Sequence, residues 1–185
     1  MEVEKTNLEG CYLIHDTFFG DHRGYFFESF NKNAFLEKTR MNIDFVQDNQ
    51  SSSQKGVLRG LHFQHGEFAQ AKLVRVLEGR VLDVVLDLRR ASATYGQHLA
   101  IELSGDSHTQ LFVPRGFAHG FLVLSDKAVF FYKCDNFYNK TSEGGIIFND
   151  PNLAINWKLE QKDLLLSEKD TMLPTLKEIA NTLNF

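Results

Sequence analysis

Proline is scarce in this 185-residue chain, with three residues in all, and no Pro-, Gly- or Ser-rich stretch divides it. Without a linker signal, one domain over residues 1–185 is expected. Cysteine is scarcer still: Cys11 and Cys134 stand far apart and in no metal-like spacing. That gives no thiolate metal cluster; the two could pair with each other, but two buried or free thiols in a reducing compartment are expected. No apolar run approaches the roughly 20 residues that span a bilayer. The opening MEVEKTNLEG is acidic and polar, with no apolar signal region, so a soluble cytoplasmic protein without membrane contact is expected. Positive charge is also short, 20 Lys and Arg against 24 Asp and Glu for a net −4, which leaves no basic field to hold a nucleic acid.

Phenylalanine is what the chain has in excess, 17 residues against one Trp and five Tyr, a composition that favours strands. Short β-branched and aromatic segments recur between polar or glycine-bearing turns: CYLIHDTFF, GYFFESF, FVQDNQS, VLRGLHFQ, AKLVRVLEG, RVLDVVLDL, QHLAIEL, QLFVP, HGFLVL, AVFFYKC and GGIIFN. In RVLDVVLDL, Leu82, Val84, Leu86 and Leu88 alternate with Asp83 and Asp87, which reads as a half-buried strand. Helical signals are confined to NKNAFLEKT, with Asn31 as its cap, and PTLKEIANTL, with Pro174 in the first turn. So many strands in a small domain predict a sandwich or jelly-roll barrel, with function inside the barrel or at its mouth.

Three strand segments carry polar groups on apolar rows. Alternation puts Leu58, Gly60, His62 and Gln64 on one face, Lys72 with Val74 and Val76, and Tyr132 with Phe130 and Cys134. Gly60 leaves room for something to approach the backbone beside His62. A His, a Lys and a Tyr converging in one barrel would form a general acid/base set. Taken singly, each has a plainer explanation: a hydrogen-bonded core residue for His or Tyr, a snorkelling side chain for Lys. The run PRGFAH, with Pro114, Gly116 and His119, delivers a second histidine at the start of a strand. A metal centre gathered from His62, His65, Glu67 and His119 is disfavoured, because His62 and His65 lack the i, i+2 spacing that a strand-borne pair needs.

GVLRGLHFQ, KLVRVLEGRVLDVVLDLR, FVPRGFAHGF and FYKCDNFYNKTSEGG, taken together and in this order, resemble the dTDP-4-dehydrorhamnose 3,5-epimerase family. The resemblance runs from about Gly10 to about Pro174. It implies an all-β, cupin-type jelly-roll barrel with short helices, one of them near the C-terminus. It also implies a homodimer that uses no metal and no cofactor. The family inverts C3 and C5 of dTDP-4-keto-6-deoxy-D-glucose to give the L-rhamnose precursor. By resemblance His62 is the base, Lys72 stabilises the enolate oxygen, Tyr132 returns a proton from the opposite face, and Asp170 in LSEKD orients and charges His62. Arg23 in GDHRGYF, Arg59, Glu28, Gln47 and Asn49 match nucleotide-contact positions, and Arg23 and Glu28 lie on a segment that can reach the site of the partner subunit. His119, Glu143 and Lys169 match further ligand contacts, and Tyr138 matches the ring that stacks on thymine. The chain departs from the family at Lys158, which follows Trp157 where many members have proline, and at Cys134 and Asp135, where small polar residues are usual. Two other functions compatible with these residues are a single-carbon epimerase and a non-catalytic sugar-nucleotide-binding cupin, the latter having no need of Lys72.

Overall fold

The computed structural model describes residues 1–183 and 185. Two antiparallel sheets face each other, as a jelly roll requires. In chain order the strands are β1 (Glu2–Lys5), β2 (Tyr12–His15), β3 (Phe19–Asp21), β4 (Gly24–Phe26), β5 (Gln47–Gln54), β6 (Leu58–Gln64), β7 (Lys72–Glu78), β8 (Arg80–Asp87), β9 (His98–Ser104), β10 (Thr109–Val113), β11 (Phe117–Val123), β12 (Lys127–Cys134) and β13 (Glu143–Gly145). Sheet one has the order β1-β2-β10-β7-β12-β5, sheet two β13-β6-β11-β8-β9, and β3 with β4 forms a separate hairpin. The polar N-terminal segment, which carries no strand signature, is the edge strand β1, paired from Glu2 opposite His15 to Lys5 opposite Tyr12.

Apolar side chains fill three layers. Between the sheets lie Val74, Val76, Leu111 and Phe130 from sheet one and Val81, Val85, Phe117 and Phe121 from sheet two. Behind sheet two, Leu58, Leu61, Phe63, Leu82, Val84 and Leu86 pack under the C-terminal segment, with Ile146, Phe148 and Trp157. Outside sheet one, Ile14, Leu73 and Phe112 pack against Phe35. Sheet two is therefore covered on both faces, and this corrects the half-buried reading of β8. The strand lies between β11 and β9, and both of its aspartates, Asp83 and Asp87, are fully buried. Asp87 is satisfied locally, accepting from Arg89, Ser92 and Thr94.

The helices are short. The first, α1 (Lys32–Thr39), starts where expected, with the Asn31 side chain accepting from the Ala34 N–H. α2 (Glu168–Thr171) is capped by Ser167. α3 (Leu176–Ile179) is capped by Thr175 in a reciprocal capping box with Glu178, so Pro174 precedes the cap rather than sitting in the first turn.

Candidate active site

Residues of both sheets line a cavity of about 660 Å³. Sheet two contributes Arg59 and His62 from β6 and His119 from β11; sheet one contributes Lys72 from β7, Tyr132 from β12 and Asn49 from β5. The segment ending in α2 closes one side with Ser167, Lys169 and Asp170. Of the expected set, His62, Lys72, Tyr132, Asp170, Arg59, Asn49, His119 and Lys169 thus share one cavity. Gln47 and Glu143 stand one hydrogen bond behind that wall, and Tyr138 one further. Gln47 Nε2 donates to Asn49 at 3.0 Å, its Oε1 accepts the Tyr138 N–H, and Glu143 accepts from both Lys169 Nζ (2.6 Å) and the Tyr138 hydroxyl (3.1 Å). Arg23 and Glu28 are outside the cavity of their own chain: Arg23 sits at the turn of the β3–β4 hairpin bound to Asp21, and Glu28 accepts from Asn31. His65 and Glu67 are exposed on a 3-10 turn and do not join His62 and His119.

The face shared by Leu58, Gly60, His62 and Gln64 in a regular strand is not the one observed. β6 has an extra residue opposite β11 between Arg59 and His62. Leu58 therefore packs behind the sheet with Leu61 and Phe63, while Arg59 joins His62 on the cavity side.

Two His–Asp pairs result. His62 Nε2 is 2.6 Å from Asp170 Oδ1, a contact between residues 108 positions apart in sequence. Since an ionised carboxylate only accepts, the proton is on Nε2 and Nδ1 is left as the basic ring nitrogen. Burial pushes the Asp170 carboxyl up, but hydrogen bonding and charge from His62, with help from Ser167 and the Gly60 N–H, outweigh it and hold the group below the usual carboxylate value. His119 Nε2 lies 3.1 and 3.0 Å from the two oxygens of Asp83. The sequence reading missed Asp83 as part of this site. Its one local signal is an acid inside an otherwise apolar β-branched run.

Lys72 faces the cavity with its Nζ 5.7 Å from the centre of the Tyr132 ring and, among the described residues, no hydrogen-bonded partner. Burial lowers its pKa, and the more distant Cys134, Asp83 and Glu143 only partly oppose this. Burial raises the Tyr132 phenol, so it stays protonated and able to donate. Two of the three departures from the family pattern lie beside this lysine. Cys134 pairs across from Lys72, its thiol pushed by burial up to about 11, and Asp135 accepts the Ala71 N–H at 2.6 Å while holding Arg115. Arg59 is steadied by Ser53, which accepts from two of its nitrogens.

An ordered base–carboxylate pair, an unpaired ammonium and a protonated phenol around one cavity can remove a proton beside a carbonyl, hold the resulting enolate and return a proton elsewhere. A sequence model described as dTDP-4-dehydrorhamnose 3,5-epimerase matches residues 5–178. The protein of that name from Escherichia coli (strain K12) is 49% identical over 179 residues, 97% of this chain and 96% of the relative. Among solved structures, dTDP-4-dehydrorhamnose 3,5-epimerase from Elizabethkingia anophelis NUHP1 superposes with a TM-score of 0.93 at 57% identity, covering 96% of this chain and 97% of that one. The 3,5-epimerase of Legionella pneumophila Philadelphia 1, in complex with dTDP-4-keto-L-rhamnose, gives 0.94 at 45% identity, covering 98% and 96%.

Proposed function

The chain belongs to the dTDP-4-dehydrorhamnose 3,5-epimerase family, and from that premise we propose that its cavity inverts C3 and C5 of dTDP-4-keto-6-deoxy-D-glucose by enolisation. The observation that carries this reading is that His62 and Tyr132 enter the cavity from opposite sheets. A sugar ring held between them meets a base on one face and a proton donor on the other, which is what inversion of a carbon requires.

Protons on C3 and C5 are acidic only while the C4 ketone can accept the electron pair. His62 Nδ1 takes the proton, and Asp170 compensates the imidazolium that forms. The Lys72 ammonium, with no carboxylate in salt-bridge reach among the described residues, is free for the enolate oxygen. The Tyr132 hydroxyl then protonates the same carbon from the other side. His62 gives its proton to water and Tyr132 takes one back from water before the sequence repeats at the second carbon. Arg59 and Lys169 are suited to the pyrophosphate, Arg59 through paired N–H donors. Tyr138, more than half exposed beside Glu143 and Lys169, offers its ring to the thymine. Asn49 and His119 complete the polar wall, with Gln47 and Glu143 bracing it from behind.

Arg23 and Glu28 fit this reading if the working unit is a cytoplasmic homodimer. Phe19, Tyr25 and Phe26 on the β3–β4 hairpin are 63%, 63% and 67% exposed, and β5 is an unpaired sheet edge. A second copy would cover both and bring Arg23 toward the cavity opposite. A stable monomer by light scattering at micromolar concentration would overturn the dimer.

The catalytic reading is tested by NMR of dTDP-4-keto-6-deoxyglucose with the protein in D₂O. Deuterium entering at C3 and C5, with both centres inverted, is expected. Exchange and inversion at one carbon would make the protein a single-carbon epimerase, and binding without exchange would leave only a sugar-nucleotide-binding protein.

A further inference from the structure

The irregularity in β6 lies directly against the base. On β11 two steps separate His119 from Phe121, while on β6 three steps separate their partners His62 and Arg59, so Gly60 and Leu61 together oppose Gly120. Residues three apart on an unbroken strand point to opposite faces; here the extra residue lets Arg59 and His62 line the same cavity. A bulge also bends its strand and re-aims the side chains that follow it. Here the residue that follows is His62, which faces the cavity and meets the Asp170 carboxylate through Nε2 at 2.6 Å.

Only glycines permit this arrangement. Gly60 has φ +117°, and a Cβ there would stand 2.6 Å from Gly120 Cα and 2.7 Å from the His119 carbonyl oxygen. A Cβ on Gly120 would stand 2.6 Å from the Arg59 carbonyl oxygen. Backbone meets backbone at this one point between β6 and β11, so neither strand can yield by turning a side chain aside.

We propose that Gly60 and Gly120 are positioning residues for the base: their contact holds the bulge that aims His62 into the cavity and onto Asp170. This deepens the reading of His62 as the base and rests on it. Gly120→Ala is the informative variant, because it leaves every residue of β6 in place and intrudes only on the contact. Displacement of a catalytic group by about 1 Å costs on the order of 10²-fold, so C3 and C5 exchange in D₂O should fall by ~10²-fold per folded molecule. The downfield imidazole proton expected of the 2.6 Å His62–Asp170 hydrogen bond should be lost with it. Gly105→Ala serves as the control, since a Cβ there crowds the Leu77 carbonyl at 2.8 Å in a turn outside the cavity lining. It should lower Tm while leaving exchange unchanged. If His62→Ala abolishes exchange but Gly120→Ala keeps the full rate and the imidazole signal, the positioning role is wrong. If His62→Ala itself exchanges normally, the underlying base assignment is wrong instead. Should Gly120→Ala fail to fold, the contact can be read in the unmodified protein: a strong Overhauser effect between the α-protons of Gly60 and Gly120 is expected, and its absence overturns the proposal.

Discussion

The two His–Asp pairs are built from the same groups and differ in what surrounds them. His62 keeps 29% of its side chain exposed against 5% for Asp170, whereas His119 keeps 6% and Asp83 none. His62 and Asp170 come from a bulged strand and a four-residue helix. His119 and Asp83 come from adjacent central strands in regular pairing, with Phe130 lying over the His119 ring. A base must exchange its proton with substrate and then with solvent, so it needs one open side and a partner that can adjust. A buried polar pair between two sheets must above all stay satisfied, because an orphaned group there has no water to turn to. The open pair carries the chemistry; the closed pair holds the floor of the cavity in shape.

His62→Ala should separate them most sharply. Loss of a general base costs ~10²–10⁴-fold, so exchange at both C3 and C5 should fall by that factor while urea unfolding changes little. Exchange surviving at either carbon would show a second base at work, and His119 would be the group to test next. Tyr132→Phe follows in size. The ring is kept and only the hydroxyl is lost, so His62 can still remove a proton and return it to the same face. Deuterium exchange should persist while inversion falls. Full inversion at both carbons would mean that water or another residue serves the opposite face.

Asp83→Ala should act on the other side of the comparison. It leaves His119 buried without its acceptor, a loss of about 1–3 kcal/mol on folding, read as a lower urea midpoint at unchanged slope. An unchanged midpoint would show that His119 finds another partner and that the closed pair does not brace the sandwich.

Much of this was legible in the sequence where a strand has the regular period of two. Lys72 and Tyr132 lie where alternation puts them, on rows with Val74, Val76 and Phe130. Two features escaped it for physical reasons. Alternation of leucine with aspartate implies one wet face, but β8 is a central strand with an apolar layer on each side, so Asp83 is enclosed rather than solvated. Alternation also presumes one residue per step, and the bulge at Gly60 breaks that, which is why Arg59 lines the cavity beside His62 while Leu58 packs into the layer behind the sheet. The Asp170–His62 contact joins elements 108 residues apart, so no local pattern carries it; only the resemblance of LSEKD to a family motif pointed there.

Ser167→Ala is the mildest way to loosen the open pair. The Ser167 Oγ accepts the Asp170 N–H at 3.2 Å and caps α2, a helix too short to hold its own geometry without that bond. Removing an N-cap costs about 1 kcal/mol, and a loss of that size in aligning the carboxylate corresponds to a rate a few-fold lower at unchanged KM. The effect on stability carries a pH signature. Asp170 is held below the ordinary carboxylate value. Its ionised form therefore favours the folded chain fully above about pH 4, and that contribution is lost as pH falls through the lower folded value. Ser167 is one of the groups holding it down, so its removal narrows the gap between the folded and unfolded values. The Tm difference between wild type and Ser167→Ala should accordingly be largest near neutral pH and shrink on acidification. It should not reach zero, since the cap bond to the Asp170 N–H does not titrate. A difference independent of pH would show that Ser167 caps the helix without touching the charge on Asp170.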